Sequence, residues 1–481
     1  MNYRLIGHDR DNAVQDLLIC LLPEEAHIRV EDEDGGDLCA TVLETGPDGL
    51  LTAGAFVTRA GRPSGGHHSE MPAGPGRVEV NRAASYAIKT ALYHAMVPHL
   101  EEAPPWGSLT GVKPAKVVRN LLSAGAAPSA AMAHLTDRYF VEPARARLCI
   151  IAAQHAIAAE AALAPREIQL YVGIPFCPAK CSYCSFVSND TQRSGHLIGP
   201  YLEALLSEIA ASGEMVRQQG LTLGSLYLGG GTPTILTASQ LDTLLGALHT
   251  TFDLSACREI TVEGGRPETM NREKLRVLAA HGVTRVSVNP QTMNDAVLAG
   301  VGRHHTAADI IRAFLDVREM GAFAINMDLI AGLPGDSDAG LLESVRQLIA
   351  LAPDNITLHC LARKKGAPLC SSAQGRLPAA TLDACYAALQ QAGYGPYYLY
   401  RQKYSAGGLE NIGWAQPGFA SHYNIAMMEE LCDVLALGAG GVTKLGTRGG
   451  GVIRRVQNPK YPREYIVNTA EIALQKSQLS L

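Results

Sequence analysis

YVGIPFCPAKCSYCSF, residues 171–186, is the stretch on which the reading of this chain turns. Cys177, Cys181 and Cys184 are separated by three and then two residues, and an aromatic, Phe186, follows the last of them. Thiolates are the usual ligands of iron–sulfur clusters, and this spacing lets one loop wrap a cubane. Three thiolates leave one iron of a [4Fe-4S] cluster open to a small molecule, as open catalytic metal sites keep a free position. Zinc would ask for four ligands in paired spacings, and no second pair lies near this loop.

Working outward, the loop follows the first of six apolar, β-rich runs, at 168–174, 225–228, 259–262, 285–288, 324–329 and 356–360. Amphipathic helical patterns at about 200–219, 237–251, 271–281, 306–320 and 338–351 separate them. This alternation predicts an α/β fold with a parallel sheet and helices outside. Six units make a partial (β/α)6 TIM-like barrel, short of a closed eight-stranded one. The cysteine loop then lies at the C-terminal ends of the strands, where such sheets keep their chemistry.

Residues just after the later strands should converge on the same mouth. The second run leads into Gly229, Gly230, Gly231 and Thr232, where the backbone can approach a ligand closely. The third ends at Glu263, the fourth leads to Gln291 and the fifth contains Asp328. A carboxylate at the end of an apolar strand is costly to bury unless it meets a partner, such as a ribose hydroxyl or an ammonium group. Arg303 is placed to meet a carboxylate.

The flanks are less regular. Residues 1–103 read as a small α+β domain with a helix over about 78–97, and 104–165 as a helical connector with Pro114, Pro128 and Pro143 at helix starts. The barrel spans 166–364, and 365–481 reads as an α/β region covering its open side. His67, His68 and Glu70 lie in a glycine-rich segment expected to be an exposed loop.

Composition narrows the setting. The 481 residues are 47% hydrophobic and 18% charged, with a net charge of −5, so nothing favours a nucleic-acid backbone as partner. The first ten residues lack the apolar core of a secretory signal, and the most apolar stretch, 148–163, is broken by Gln154, His155 and Glu160. A cytoplasmic location without a membrane span is expected. There the other eight cysteines, scattered singly among eleven, read as small buried hydrophobes.

The C-x3-C-x2-C loop with its trailing aromatic resembles the radical S-adenosylmethionine (SAM) superfamily. The arrangement around it is most similar to the oxygen-independent coproporphyrinogen III oxidases (coproporphyrinogen dehydrogenases). LTGVKP at 109–114, EGGRP at 263–267, NPQTM at 289–293, PYYLYRQKY at 396–404 and LENIG at 409–413 resemble its HemZ-type branch. So does YNIAMMEE at 423–430. The resemblance implies a [4Fe-4S] cluster on Cys177, Cys181 and Cys184, one SAM on its open iron and room for a second. It implies SAM contacts at Tyr171, Phe186, Gly229, Gly230, Gly231, Thr232, Glu263, Gln291, Arg303, Asp328 and Ala362. Of these, Tyr171, Glu263 and Arg303 would stand nearest the chemistry.

The implied reaction is oxidative decarboxylation of coproporphyrinogen III propionates to vinyl groups, giving protoporphyrinogen IX in heme biosynthesis. A one-electron reductant such as flavodoxin or ferredoxin would feed a monomeric enzyme. Two departures bear on the substrate. The family's established decarboxylases carry a further cysteine where Phe186 stands, and the heme-chaperone branch carries a His-Asn-x-x-Tyr-Trp motif where this chain reads HYNIAMM from His422. The alternatives are a heme- or porphyrin-binding chaperone, with His422 or His359 as ligand, and another radical SAM reaction on a tetrapyrrole. For a tetracarboxylate, Arg401, Lys403 and Arg363, Lys364 and Lys365 are candidate cations, with Tyr397, Tyr398 and Tyr400 as pocket wall.

Overall fold

The computed structural model describes residues 1–31, 36–186, 188–362, 364, 367–371, 377–448 and 452–481. It divides into two compact units: Met1–Ile150 with Tyr400–Glu410, and Ile151–Leu399 with Asn411–Leu481.

In the first unit, strands Asn2–Ile6, Ile28–Arg29, Leu38–Thr45, Leu51–Arg59 and Arg62–Glu70 form one sheet. Strand Leu51–Arg59 alternates buried and outward positions, as a half-buried strand must. Its inner residues Ala53, Ala55 and Val57 pack with Leu17 of helix Asp11–Leu21 and with Ala87, Ile88 and Ala91 of helix Arg77–Met96. The segment expected as an exposed loop at His67, His68 and Glu70 is instead strand Arg62–Glu70, paired antiparallel with Leu51–Arg59 along its whole length. Glycine and proline hid it, since both are poor strand formers. The hairpin turn Ala60-Gly61 has positive φ at both residues, matching the strand twist. Gly66 allows the close approach of the long helix: a Cβ there would lie 2.2 Å from the Ala91 carbonyl oxygen. Helices Pro114–Ser123, Pro128–Ala133 and Pro143–Ala161 each begin on the expected proline.

In the second unit the six expected strands are Glu167–Ile174, Thr222–Gly230, Glu259–Glu263, Arg285–Ser287, Ala324–Ala331 and Asn355–Cys360. They lie side by side in chain order, every neighbouring pair parallel. Helices Ile198–Gln218, Ala238–Thr251, Arg272–Ala280, Ala307–Met320 and Asp338–Leu351 connect them. The C-terminal region, expected as a cover, also extends this sheet at both edges. Glu410–Ala415 pairs antiparallel with the sixth strand, and Val434–Leu437 pairs parallel with the first. The described strands form an array with two edges, not a closed cylinder.

Among the described residues no helix is long and apolar enough to cross a membrane. Of the scattered cysteines, Cys39, Cys149, Cys360, Cys385 and Cys432 are buried as small hydrophobes, while Cys20 and Cys257 are half-buried.

Candidate active site

The cysteine loop leaves the first strand and is tied at its base, where Phe176–Cys177 pairs with Asn189–Asp190. Ser182 N–H donates to the Val301 carbonyl at 3.1 Å, fixing the middle of the loop. Cys177 and Cys181 are buried and Cys184 half-buried. Burial pushes the Cys177 thiol up and the Cys184 thiol to about 11, so ionisation there calls for a metal or a cation.

The glycine run is zipped to this loop. Gly231 N–H donates to the Ile174 carbonyl and Thr232 N–H to that of Phe176, both at 2.8 Å. A Cβ on Gly231 would lie 2.5 Å from the Phe176 carbonyl oxygen and 3.0 Å from Cys177 Sγ. On Gly229 it would lie 3.1 Å from Glu263 Oε1, and on Gly230, at φ 108°, 3.4 Å from the Tyr171 hydroxyl. Glycine is therefore what brings Tyr171, Glu263 and Cys177 around one stretch of backbone.

Glu263 accepts from the Tyr227 hydroxyl at 2.5 Å. Its carboxyl is pushed up to about 7, first by burial and further by the charge of Asp328, with the Tyr227 hydrogen bond opposing. Tyr227 stacks between Tyr171, at 6.3 Å, and Tyr423, at 4.4 Å between ring centres. Asp328 accepts from Asn326 Nδ2 at 2.8 Å and faces His359 Nε2 at 4.0 Å. Gln291 is clamped to the fifth strand: its N–H donates to the Asp328 carbonyl and its own carbonyl accepts from Ile330, both at 2.9 Å. It does so at φ 69°, a left-handed conformation that a non-glycine residue adopts at a cost.

Arg303 is buried and acts as a tie. Its Nε donates to His305 at 3.1 Å and Nη1 to the Tyr183 hydroxyl at 3.1 Å, while Nη2 donates to the Gly265 and Asn289 carbonyls, each at 2.7 Å. That occupies four of its five N–H groups and joins the cysteine loop to the third and fourth strand ends. Phe186 is 66% exposed, and Ala362 is half-buried just past the sixth strand.

The substrate-side expectations fare differently. Arg401 is buried with its guanidinium donating to the Leu109 and Gly408 carbonyls, so its charge serves the first unit. Lys403 pairs with Asp16 at 2.7 Å. Tyr397 and Tyr398 are buried and meet edge to face at 4.8 Å, as core residues do. Arg363 and Lys365 lie outside the described residues; Lys364 is exposed. Three further residues line this region without having been named as contacts from the sequence: Tyr227, and Arg266 and Tyr423, which lie in the EGGRP and YNIAMMEE runs. Tyr227 was detectable, since strand alternation puts it on the same face as Ser225 and Gly229, but nothing local announces what it touches.

The residues fit a cluster with a bound nucleoside-like ligand. Among the described residues no three His, Cys, Asp or Glu side chains converge as they would on a single metal ion. A cubane asks for one thiolate per iron, not three on one ion. Ser287 Oγ, Asn289 Oδ1 and the Tyr423 hydroxyl are buried with no hydrogen-bond partner among the described residues, so they are polar groups that a bound ligand could satisfy.

Comparison with known proteins agrees. Residues 171–348 match the family model described as the radical SAM superfamily. The oxygen-independent coproporphyrinogen-III oxidase-like protein HemZ of Bacillus subtilis is 36% identical over 369 residues, 75% of this chain and 74% of its own length. The chain belongs to the oxygen-independent coproporphyrinogen III oxidase family of radical SAM proteins. As a radical SAM protein it uses a [4Fe-4S] cluster and SAM. The family also contains proteins named otherwise: the heme chaperone HemW of Haemophilus influenzae is 30% identical over 308 residues, 62% of this chain and 76% of its own length. The solved coproporphyrinogen III oxidase HemN of Escherichia coli shares the fold, at a TM-score of 0.52 and 24% identity over 66% of this chain and 73% of that one.

Proposed function

We propose that this radical SAM protein oxidatively decarboxylates tetrapyrrole propionates, with coproporphyrinogen III as substrate and protoporphyrinogen IX as product. The observation that carries the reading is the junction of the cysteine loop with the glycine run, where Cys177, Tyr171 and Glu263 border the same three residues. Cys177, Cys181 and Cys184 hold the cluster. When bound, cluster and SAM together supply one-electron chemistry and a carbon radical able to take hydrogen from an unactivated position.

The chain's own residues bind and orient. The backbone of Gly229, Gly230 and Gly231 approaches the amino-acid end of SAM, since no side chain stands in the way. Glu263, Gln291 and Asp328 offer acceptors and donors to its ribose and ammonium groups, with Glu263 ionising when a donor arrives. Tyr171 and Tyr227 wall the site and keep water from the reacting carbon. Arg303 holds the three loops in register, leaving one N–H for a carboxylate. Each propionate then loses one hydrogen atom and carbon dioxide and passes one electron to an acceptor, leaving a vinyl group. The electron for each turnover comes from a one-electron reductant such as flavodoxin or ferredoxin in the cytoplasm.

A second reading rests on Phe186. It occupies the position where the resemblance expects a further cysteine in the decarboxylases, as in the heme-chaperone branch. Anaerobic reconstitution with SAM, reductant and coproporphyrinogen III separates the two. Protoporphyrinogen formed in step with 5′-deoxyadenosine, both abolished in Cys181→Ala, is the expected result. SAM cleavage with unchanged porphyrin, together with stoichiometric heme binding lost in His422→Ala or His359→Ala, would favour the chaperone.

A further inference from the structure

Arg266 lies three residues beyond the end of the third strand, and the cysteine motif assigns it no role. Two glycines set its direction. Gly264 has no room for a side chain, because a Cβ would lie 2.4 Å from both the Ser287 carbonyl oxygen and Met270 Sδ. Gly265 adopts φ 58°, the left-handed turn that a side chain would strain. The chain therefore folds back at this point, and Arg266 is 3% exposed with its guanidinium against the cysteine loop.

There, Nη2 donates to the Ala179 carbonyl at 2.7 Å and to Cys181 Sγ at 2.9 Å, while Nη1 faces Glu268 Oε1 at 3.5 Å. One nitrogen thus holds both the backbone of the loop and one of its sulfurs. A second donor acts more weakly: Thr232 Oγ1 donates to Cys177 Sγ at 3.4 Å. A buried guanidinium is costly unless negative charge meets it. Glu268 supplies part of that charge from a partly exposed position, and a Cys181 sulfur ligating a cluster would supply the rest.

Adding one electron to a [4Fe-4S] cluster, from the 2+ to the 1+ state, increases its negative charge. Positive charge and hydrogen bonds at the ligand sulfurs favour the reduced form and so raise the reduction potential. We propose that Arg266 is a positioning residue of the cluster, holding the Cys181 segment and raising the cluster's potential through a charge-assisted hydrogen bond to that thiolate. The proposal rests on the assignment of the cluster to this loop. It implies that Arg266 widens the range of one-electron donors able to reduce the protein.

The test uses the full-length chain reconstituted anaerobically with iron and sulfide, as wild type, R266K, R266Q and T232V, without SAM or substrate. Iron per chain reports loading, and an electron paramagnetic resonance titration reports the 2+/1+ couple. In R266Q the ratio of reduced to oxidised cluster at a fixed potential should fall about ten-fold, equivalent to about 59 mV for one electron. R266K, which keeps the charge but not the planar fork, should fall less, and T232V least. Loss of iron from folded R266Q and R266K with T232V still loaded would support the holding role. Wild-type potential in a loaded R266Q would overturn the proposal, as would unfolding of both variants by circular dichroism, which would make Arg266 a structural arginine. A wild-type chain that takes up no iron would instead overturn the cluster assignment itself.

Discussion

The third strand of the parallel sheet carries a glutamate at each end, and the two are treated in opposite ways. Glu259, at the N-terminal end, is buried and accepts from Thr261 Oγ1 at 3.0 Å, Ser421 Oγ at 2.7 Å and His422 N–H at 3.0 Å, and it forms an ion pair with Arg285 Nε at 3.5 Å. Glu263, four residues on, accepts from the Tyr227 hydroxyl and from no other side chain among the described residues, and burial raises its carboxyl to about 7. The neighbouring strands repeat the pattern. At the N-terminal ends Glu167 pairs with Arg258, and Arg285 donates to Asn355 and to the Phe419 carbonyl, its Nε making only the ion pair with Glu259; at the C-terminal ends Ser287 Oγ and Asn289 Oδ1 have no hydrogen-bond partner among the described residues. A satisfied polar group contributes to stability, and an under-satisfied one costs stability unless a ligand pairs with it. On the proposed function, one sheet thus has a structural end and a binding end.

Three substitutions test this contrast. The largest effect belongs to the structural end. Glu259→Gln leaves the buried Arg285 charge uncompensated and should cost about 3–5 kcal/mol in chemical denaturation. SAM binding by the folded fraction should be unchanged; if it weakens as much as stability does, the division between the two ends fails.

Glu263→Gln should act in the opposite sense. Because the folded carboxyl titrates near 7 rather than at its ordinary 4.5, its protonated form favours the native state. That contribution is fully present below pH 4.5 and is lost as pH rises through about 7. The variant should therefore match the SAM-free wild type at pH 4.5 and exceed it by about 1–3 kcal/mol at pH 8. Urea midpoints across that range would show it, and parallel pH profiles for the two proteins would argue against a strained carboxylate. SAM affinity at pH 8 should fall in the same variant.

Gln291→Gly carries the smallest effect. Relief of the left-handed backbone is largely offset by the added freedom of glycine in the unfolded chain, so stability should move by no more than about 1 kcal/mol. Weaker SAM binding despite that near-neutral stability would mark the Gln291 side chain as a contact. Unchanged binding would reduce Gln291 to a turn residue.

The cysteine loop and the six strands were legible because their signals are local. Thiol spacing in one loop and alternation of apolar runs with helical ones need no knowledge of distant residues. The strand Arg62–Glu70 was not legible, because its pairing with Leu51–Arg59 and its contact with the long helix override the poor strand propensity of its glycines. Arg401 misled for a related reason: a cation in a tyrosine-rich run looks like a carboxylate ligand until the backbone carbonyls that take its hydrogens are seen.

Ligand chemistry and the end of the sheet that carries it could be read from the amino-acid order alone. Those follow from ligand type, spacing and the position of loops after strands. Which polar residues find partners and which do not emerges from the packed fold. Glu259 and Glu263 are the same residue type on the same strand, and Arg266, Arg285 and Arg303 are all buried arginines. What separates them is the set of partners that other strands and loops bring within about 3 Å, the reach of a hydrogen bond, and that is a property of the fold and not of the string.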